Sequence, residues 1–181
     1  MSTLLIIGAI LAGIIVLLFV VALFSRKGYK IERSVLIAKP IGHVFDYLKN
    51  IRNQDYFNKW VMTDPNMKKS FKGTDGTKGF IYGWDGNSQA GAGEQEIKSI
   101  DNNRRIDLEI RFVRPFKGIA NSTIETEPLT GTANNSTIVK WSFSSELKYP
   151  MNIFLLVTSI EKKLEKDLDL SLTNLRTILE K

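Results

Sequence analysis

The stretch NIFLLVTSIEKKLEKDLDLSLTNLRTIL, Asn152 to Leu179, decides the fold. Leu156, Ile160, Leu164, Leu168, Leu172, Leu175 and Leu179 recur every third or fourth position, the period of a helix with one apolar stripe. Glu161, Lys162, Lys163, Lys166, Asp167 and Asp169 fall on the other side. The spacing predicts one long amphipathic helix, and such a helix needs a broad apolar surface to cover its stripe.

The residues before it supply that surface with a period of two. Arg105 to Val113 alternates cleanly, Ile106, Leu108, Ile110 and Phe112 against Asp107, Glu109 and Arg111, which reads as a half-buried antiparallel strand. Thr137 to Leu147 does the same, with Val139, Trp141 and Phe143 on one face. Strands are also expected over Lys30–Ala38, Met67–Phe71, Gly79–Trp84, Gly93–Ile100 and Gly118–Pro128. Turns fall at Gly73–Gly76, Asp85–Asn87 and around Gly131–Asn135. Pro40 opens a helix that runs through His43–Ile51, and Asn53–Trp60 reads as a second short one. One strand, two short helices, about six more strands and a long terminal helix describe an α+β domain. A curved antiparallel sheet can wrap such a helix. One helix cannot fill the concavity, so a gap between sheet and helix is expected to be an apolar cavity.

Ahead of this domain, Met1 to Ser25 carry no charged side chain, and the first charge is Arg26. A helix from Thr3 to Phe24 would be about 33 Å long, enough to cross a hydrocarbon core of about 30 Å. A cleaved signal peptide is the rival reading. It needs a positive n-region and a shorter apolar run with a small-residue cleavage site. The n-region here has no Lys or Arg, and Val21-Ala22-Leu23-Phe24 is a poor cleavage site. We therefore expect residues 1–27 to form a transmembrane anchor with its basic flank, and residues 28–181 the folded domain. Arg26, Lys27, Lys30, Arg33 and Lys39 follow the span, so the positive-inside bias puts the protein in the cell membrane, single-pass, with a cytoplasmic C-terminal domain. Gly8 with Ala12 and Ala9 with Gly13 are small residues at helical spacing that would allow weak helix–helix self-association.

Composition narrows the chemistry. The chain has 181 residues, a net charge of +6, one His and no Cys. Thiol, disulfide and thiolate–metal chemistry are excluded, and a lone His43 supports neither a His dyad nor a zinc site. No metal or cofactor is expected. The basic residues form no aromatic-interleaved stripe, so nucleic acid is not an expected partner. The segment Gly73–Gly79 is glycine-rich but lacks phosphate-loop spacing and precedes a strand, so it reads as a hairpin turn.

The order of motifs resembles the polyketide cyclase/dehydrase-like branch of the START-related helix-grip superfamily, SRPBCC. The resemblance rests on Pro40–Leu48, Asp55–Trp60, Gly91–Ile97, Arg111–Phe116, Val139–Phe143, Pro150–Asn152 and Lys166–Leu175. It covers nearly all of Tyr29 to Lys181. It implies a helix-grip fold with a hydrophobic ligand cavity between sheet and terminal helix. Members include lipid carriers, sensors and cyclases, and the anchor departs from their usual soluble form.

Candidate cavity-lining residues are then Trp60, Phe80, Tyr82, Trp84, Phe112, Trp141, Phe143, Leu156, Ile160 and Leu164. Glu94 and Glu96 share one strand face. Turned inward they would be carboxylates with raised pKa fit for acid–base work; turned outward they are solvated. Arg111 poses the same question, as a carboxylate or phosphate binder inside or an ion-pair partner outside. The leading expectation is a membrane-anchored, non-catalytic binding module for a hydrophobic small molecule or lipid. The alternatives are a cyclase/dehydrase-type enzyme using Glu94, Glu96 or Arg111, and an interaction protein whose cavity has collapsed.

Overall fold

The computed structural model describes residues 3–129 and 136–181, so the turn expected around Gly131–Asn135 lies outside them. Helix α1 (Thr3–Phe24) leads into β1 (Gly28–Ile37) and then α2 (Ile41–Lys49). A 3-10 turn at Ile51–Asn53 and the single turn α3 (Gln54–Phe57) follow, where one continuous short helix was expected. Six strands come next: β2 (Lys68–Lys72), β3 (Ile81–Asp85), β4 (Ala92–Asp101), β5 (Arg105–Arg114), β6 (Gly118–Pro128) and β7 (Thr137–Glu146). The chain ends with α4 (Phe154–Val157) and α5 (Ile160–Leu179).

All neighbours in the seven-stranded sheet are antiparallel, in the order β1-β7-β6-β5-β4-β3-β2. The first strand therefore lies beside the last, with Gly28 opposite Glu146 and Ile31 opposite Phe143. The alternation in β5 to β7 sets one inner face. Ile106, Leu108, Ile124, Val139, Trp141 and Phe143 are buried there. Against them pack Leu168, Leu172, Leu175 and Leu179 of α5, with Val44, Phe45 and Leu48 of α2 and Phe57 of α3. Arg33 ties the edge strand to α5 through Glu165 at 2.6 Å and Asp169 at 3.2 Å.

The terminal helix is not continuous. Thr158 is extended (φ −124°, ψ 154°), and its hydroxyl donates to the Phe154 carbonyl at 2.6 Å. A β-branched residue whose hydroxyl competes for a backbone carbonyl, followed by Ser159, is a weak point in a helix. The long helix thus begins at Ile160, and α4 turns away from its axis. Beyond that break, the ends of β1, β5, β6 and β7 nearest α1 border an open cleft, with Phe154 of α4 and the first turn of α5 on its other side.

The glycines at the other side of this end have a steric reason. Gly93 faces Trp84 across the β3–β4 pair, and a Cβ there would lie 2.7 Å from the indole and 2.5 Å from the Arg111 carbonyl. Gly91 adopts φ +67°, a conformation that glycine takes without strain, and a Cβ would meet the Arg114 carbonyl at 2.5 Å.

Leu168 and Leu170 separate packing from composition. Leu168→Ala removes a fully buried side chain and is expected to lower the unfolding free energy by about 2–5 kcal/mol. Leu170→Ala, at an exposed position on the same helix, is expected to change it by about 0.5 kcal/mol or less. Urea unfolding of the full chain in detergent micelles measures both.

Candidate functional site

Beside the first turn of α5, the grip opens into an apolar-walled cleft of about 1460 Å³. Its walls come from four places that the topology brings together. Tyr29 stands at the start of β1, Phe112 at the end of β5, Phe116 on the β5–β6 turn, and Tyr149, Phe154 and Ile160 on the segment from β7 to α5. Phe112 packs edge-on against Trp84 at 6.0 Å, and Tyr29 stacks on Phe143 at 6.3 Å, which joins the cleft to the packed core. Burial, followed by the nearby Glu161 carboxylate, pushes the Tyr29 phenol up to about 12, so it is a hydroxyl donor at neutral pH. Phe116 and Phe154 touch across the mouth with ring centroids 6.1 Å apart.

The aromatic and aliphatic residues expected to line a cavity divide into four groups, and Trp84, half-buried against Phe112, stands behind the cleft wall without bordering it. Phe112 and Ile160 border the cleft. Phe80, Tyr82, Trp141 and Phe143 are buried in close packing, with Trp141 against Phe57 at 5.9 Å and its Nε1 donating to Ser122 Oγ at 2.7 Å. Trp60 leans on Trp141 and Phe143 and donates from Nε1 to Asp167 at 3.1 Å, and Leu164 is half-buried beside this core. Leu156 is 40% exposed on α4, a consequence of the Thr158 break, and does not border the cleft. The middle of the grip is therefore filled by its own aromatics, and the space lies at one end.

The polar residues considered for the cavity take the outer face. In β4 it is Gln95 and Ile97 that point inward and are buried, which turns Glu94 and Glu96 outward. In β5, Arg111 alternates with the inward Ile110 and Phe112. Arg111 borders the rim of the cleft, but its guanidinium is committed to Glu94 at 2.7 Å, Glu96 at 2.8 Å and Glu109 at 2.5 Å. Bonds to Glu94 and Glu96 raise the guanidinium's already high pKa, and the Arg111 bond holds Glu96 below the usual carboxylate range. Of the two readings of Glu94 and Glu96 the outward one holds, and the Glu96 carboxyl, its pKa held low on the outer face, is a poor proton donor. His43 is exposed on α2.

Several residues of the site escaped the sequence reading. Phe116 and Tyr149 sit on turns, where periodicity gives no signal, and Phe154 opens α4 off the apolar stripe of the terminal helix. One could still have been found: Val113, Phe116 and Ile119 flank a tight turn and are all exposed, an unusual place for three large apolar residues. A buried amide cluster also went unnoticed. Gln54 Oε1 accepts from Asn58 at 2.8 Å and from Gln95 at 3.2 Å, linking α3 to β4 through the core.

No family model and no curated protein matches the sequence. Solved structures match the fold. Norcoclaurine synthase from Thalictrum flavum, in complex with dopamine and hydroxybenzaldehyde, superposes with a TM-score of 0.57 at 14% identity, over 83% of this chain and 88% of that one. The protein Ara h 8.0201 gives 0.53 at 13% identity, over 84% and 95%. The Aha1 dimer from Colwellia psychrerythraea gives 0.57 at 15% identity, over 84% and 96%. At these identities the likeness is one of fold, and the fold is the START-related helix grip: a seven-stranded antiparallel sheet around a long C-terminal helix.

The outer-face cluster predicts a pH dependence. Glu96 has a lowered folded-state pKa, so its stabilising contribution is full above the ordinary glutamate value and is lost as pH falls through the folded value. Stability is expected to fall from about pH 6 to about pH 3 in the parent chain. In Arg111→Met the acid loss is expected to shrink, because protonation then relieves repulsion among Glu94, Glu96 and Glu109. Urea midpoints across that range check it.

Proposed function

We propose that the protein is a membrane-anchored, non-catalytic binding module that holds a hydrophobic, lipid-like ligand in the cleft between the sheet and its C-terminal helices. The observation that carries this reading is the cleft itself, apolar and open at the end of the grip that adjoins α1. Its walls offer aromatic area and, at Tyr29, a neutral hydroxyl donor, which suits an amphipathic molecule. Norcoclaurine synthase, which shares the fold, is described in complex with dopamine and hydroxybenzaldehyde, a precedent for small aromatic ligands on this fold.

In this reading residues 1–27 remain attached as a single-pass anchor in the cell membrane, residues 28–181 form the binding domain, and the domain faces the cytoplasm. Supporting retention, Asn152, itself fully buried, donates to the Ala22 carbonyl at 2.6 Å and to Ser25 Oγ at 3.0 Å. A segment destined for removal gains nothing from such a contact. Gly8 and Gly13 face open space and leave α1 a small-residue strip for weak self-association together with Ala9 and Ala12. The motif order favours the polyketide cyclase/dehydrase-like branch by descent. Cyclase chemistry through Glu94, Glu96 or Arg111 is not favoured, because those groups pair with one another on the outer face.

The test is native mass spectrometry of the full chain released from detergent, followed by solvent extraction of any adduct. An apolar adduct at one per chain is expected. A clean mass that does not shift on addition of a total lipid extract would overturn the reading. Phe112→Asp and Ile160→Asp place a charge on the apolar wall and are each expected to reduce occupancy by about tenfold or more, with unchanged circular dichroism.

A further inference from the structure

The contact between α1 and the domain fixes how deep the cleft lies. Phe19 packs edge-on against Tyr149, ring centroids 6.4 Å apart. Phe19 is one and a half turns before the helix end at Phe24, which is about 7.5 Å along the axis. A span of 22 residues has only about 3 Å to spare over a hydrocarbon core of about 30 Å. Even if all of that excess projects on the domain side, Phe19 lies about 4 Å inside the hydrocarbon. Tyr149 must then sit at the boundary between headgroups and acyl chains, the depth that tyrosine favours. The attachment is held at a second level by Asn152, which satisfies a carbonyl that the end of α1 leaves free, and by Arg26, which bonds Glu161 of α5 through two nitrogens at 2.8 and 2.9 Å.

Tyr149 belongs to the mouth of the cleft, and what holds for it extends to its neighbours. Phe154 follows it in the chain, and Phe116 touches Phe154. Val113, Phe116, Ile119 and Val157 are each more than half exposed, and together they crowd this end of the domain. Lys117, Lys148 and Lys163 stand among the cleft-lining residues, where Glu146 is the single acidic side chain among the described residues. An apolar rim with cations behind it complements the surface of an anionic leaflet.

We propose that this rim docks into the same leaflet from which α1 emerges, with Phe116 and Val157 below the headgroups, so that the cleft opens into the bilayer instead of into water. The partner is the lipid bilayer itself, and its anionic headgroups meet Lys117, Lys148 and Lys163. The inference rests on α1 being retained in the membrane, and it gives the cleft's ligand a source: an acyl-chain lipid that slides in between Phe116 and Phe154.

The absence of cysteine makes the test direct. Single cysteines at Phe116, Val157, Ile14 and Asn102 carry an environment-sensitive fluorophore in the full chain. The chain is reconstituted in vesicles of phosphatidylcholine and phosphatidylglycerol with brominated acyl chains. Ile14 reports the anchor, and Asn102, on the β4–β5 turn at the opposite end of the sheet, reports bulk solvent. Strong quenching at Ile14, Phe116 and Val157 and little at Asn102 is expected. Quenching at Phe116 and Val157 no greater than at Asn102, with Ile14 quenched, overturns the docking and leaves the anchor standing. An unquenched Ile14 overturns both. Ligand occupancy, read by mass, is a separate result.

Discussion

The stripe Leu168, Leu172, Leu175 and Leu179, pressed against the inner face of the sheet, is the contact on which the rest depends. It fixes where the interior is solid. At that level Trp141, Phe57, Phe80 and Tyr82 complete a packed core, and close packing leaves little space for a guest. The helix starts at Ile160, and the strand ends at that level face the cleft, which Phe154 and the first turn of α5 border without filling. The cleft is the part of the grip that the stripe does not reach. Its position follows from the break at Thr158–Ser159, and the same break swings Phe154 toward Phe116.

Much of the fold was legible because alternation and helical period are robust to small errors of boundary. β5, β6 and β7 show the alternation plainly, and the sheet's inner face follows from them. β4 was harder. Its inward set contains Gln95 and one large apolar residue, Ile97, and the register shifts between Ile97 and Ser99. With so little apolar signal and a bulge in the strand, parity could not decide which way Glu94 and Glu96 point. Leu156 illustrates a different failure. Its spacing from Ile160 is that of one helix, and only the extended Thr158 shows that the two belong to different elements. The rim of the cleft was illegible for a third reason: Phe116, Tyr149 and Phe154 come together through chain pairings distant in sequence.

The two faces of the sheet answer to different physics. Outside, Arg111 holds three carboxylates and Asp107 accepts from Arg105, Ser99 and Thr123, a polar lattice in contact with water. Surface ion pairs of this kind add little stability individually. Their arrangement still matters, since it commits every ionisable side chain of β4 and β5 considered for chemistry to another protein group. Inside, the polar groups near the cleft are few, and the perturbed one, Tyr29, is held neutral by burial. Apolar walls with a hydroxyl donor at Tyr29 are the features on which the proposed binding role rests.

On the proposed anchoring, the position of the cleft beside α1 also has an energetic logic. A lipid that leaves a bilayer for a soluble carrier exposes its chains to water at a cost of about 0.8 kcal/mol for each CH₂ group. For a sixteen-carbon chain that amounts to about 13 kcal/mol, a barrier that a diffusing protein must find a way around. On the proposed docking, Tyr149 against Phe19 and Asn152 against Ala22 hold the mouth at the level of the acyl layer. The exposed Phe116, Ile119 and Val157, a liability on a protein free in water, then become the surface across which an acyl chain passes from one apolar medium to another. On the proposed docking, anchor and cleft act as one device, because the acyl chain is not exposed to water between bilayer and cleft.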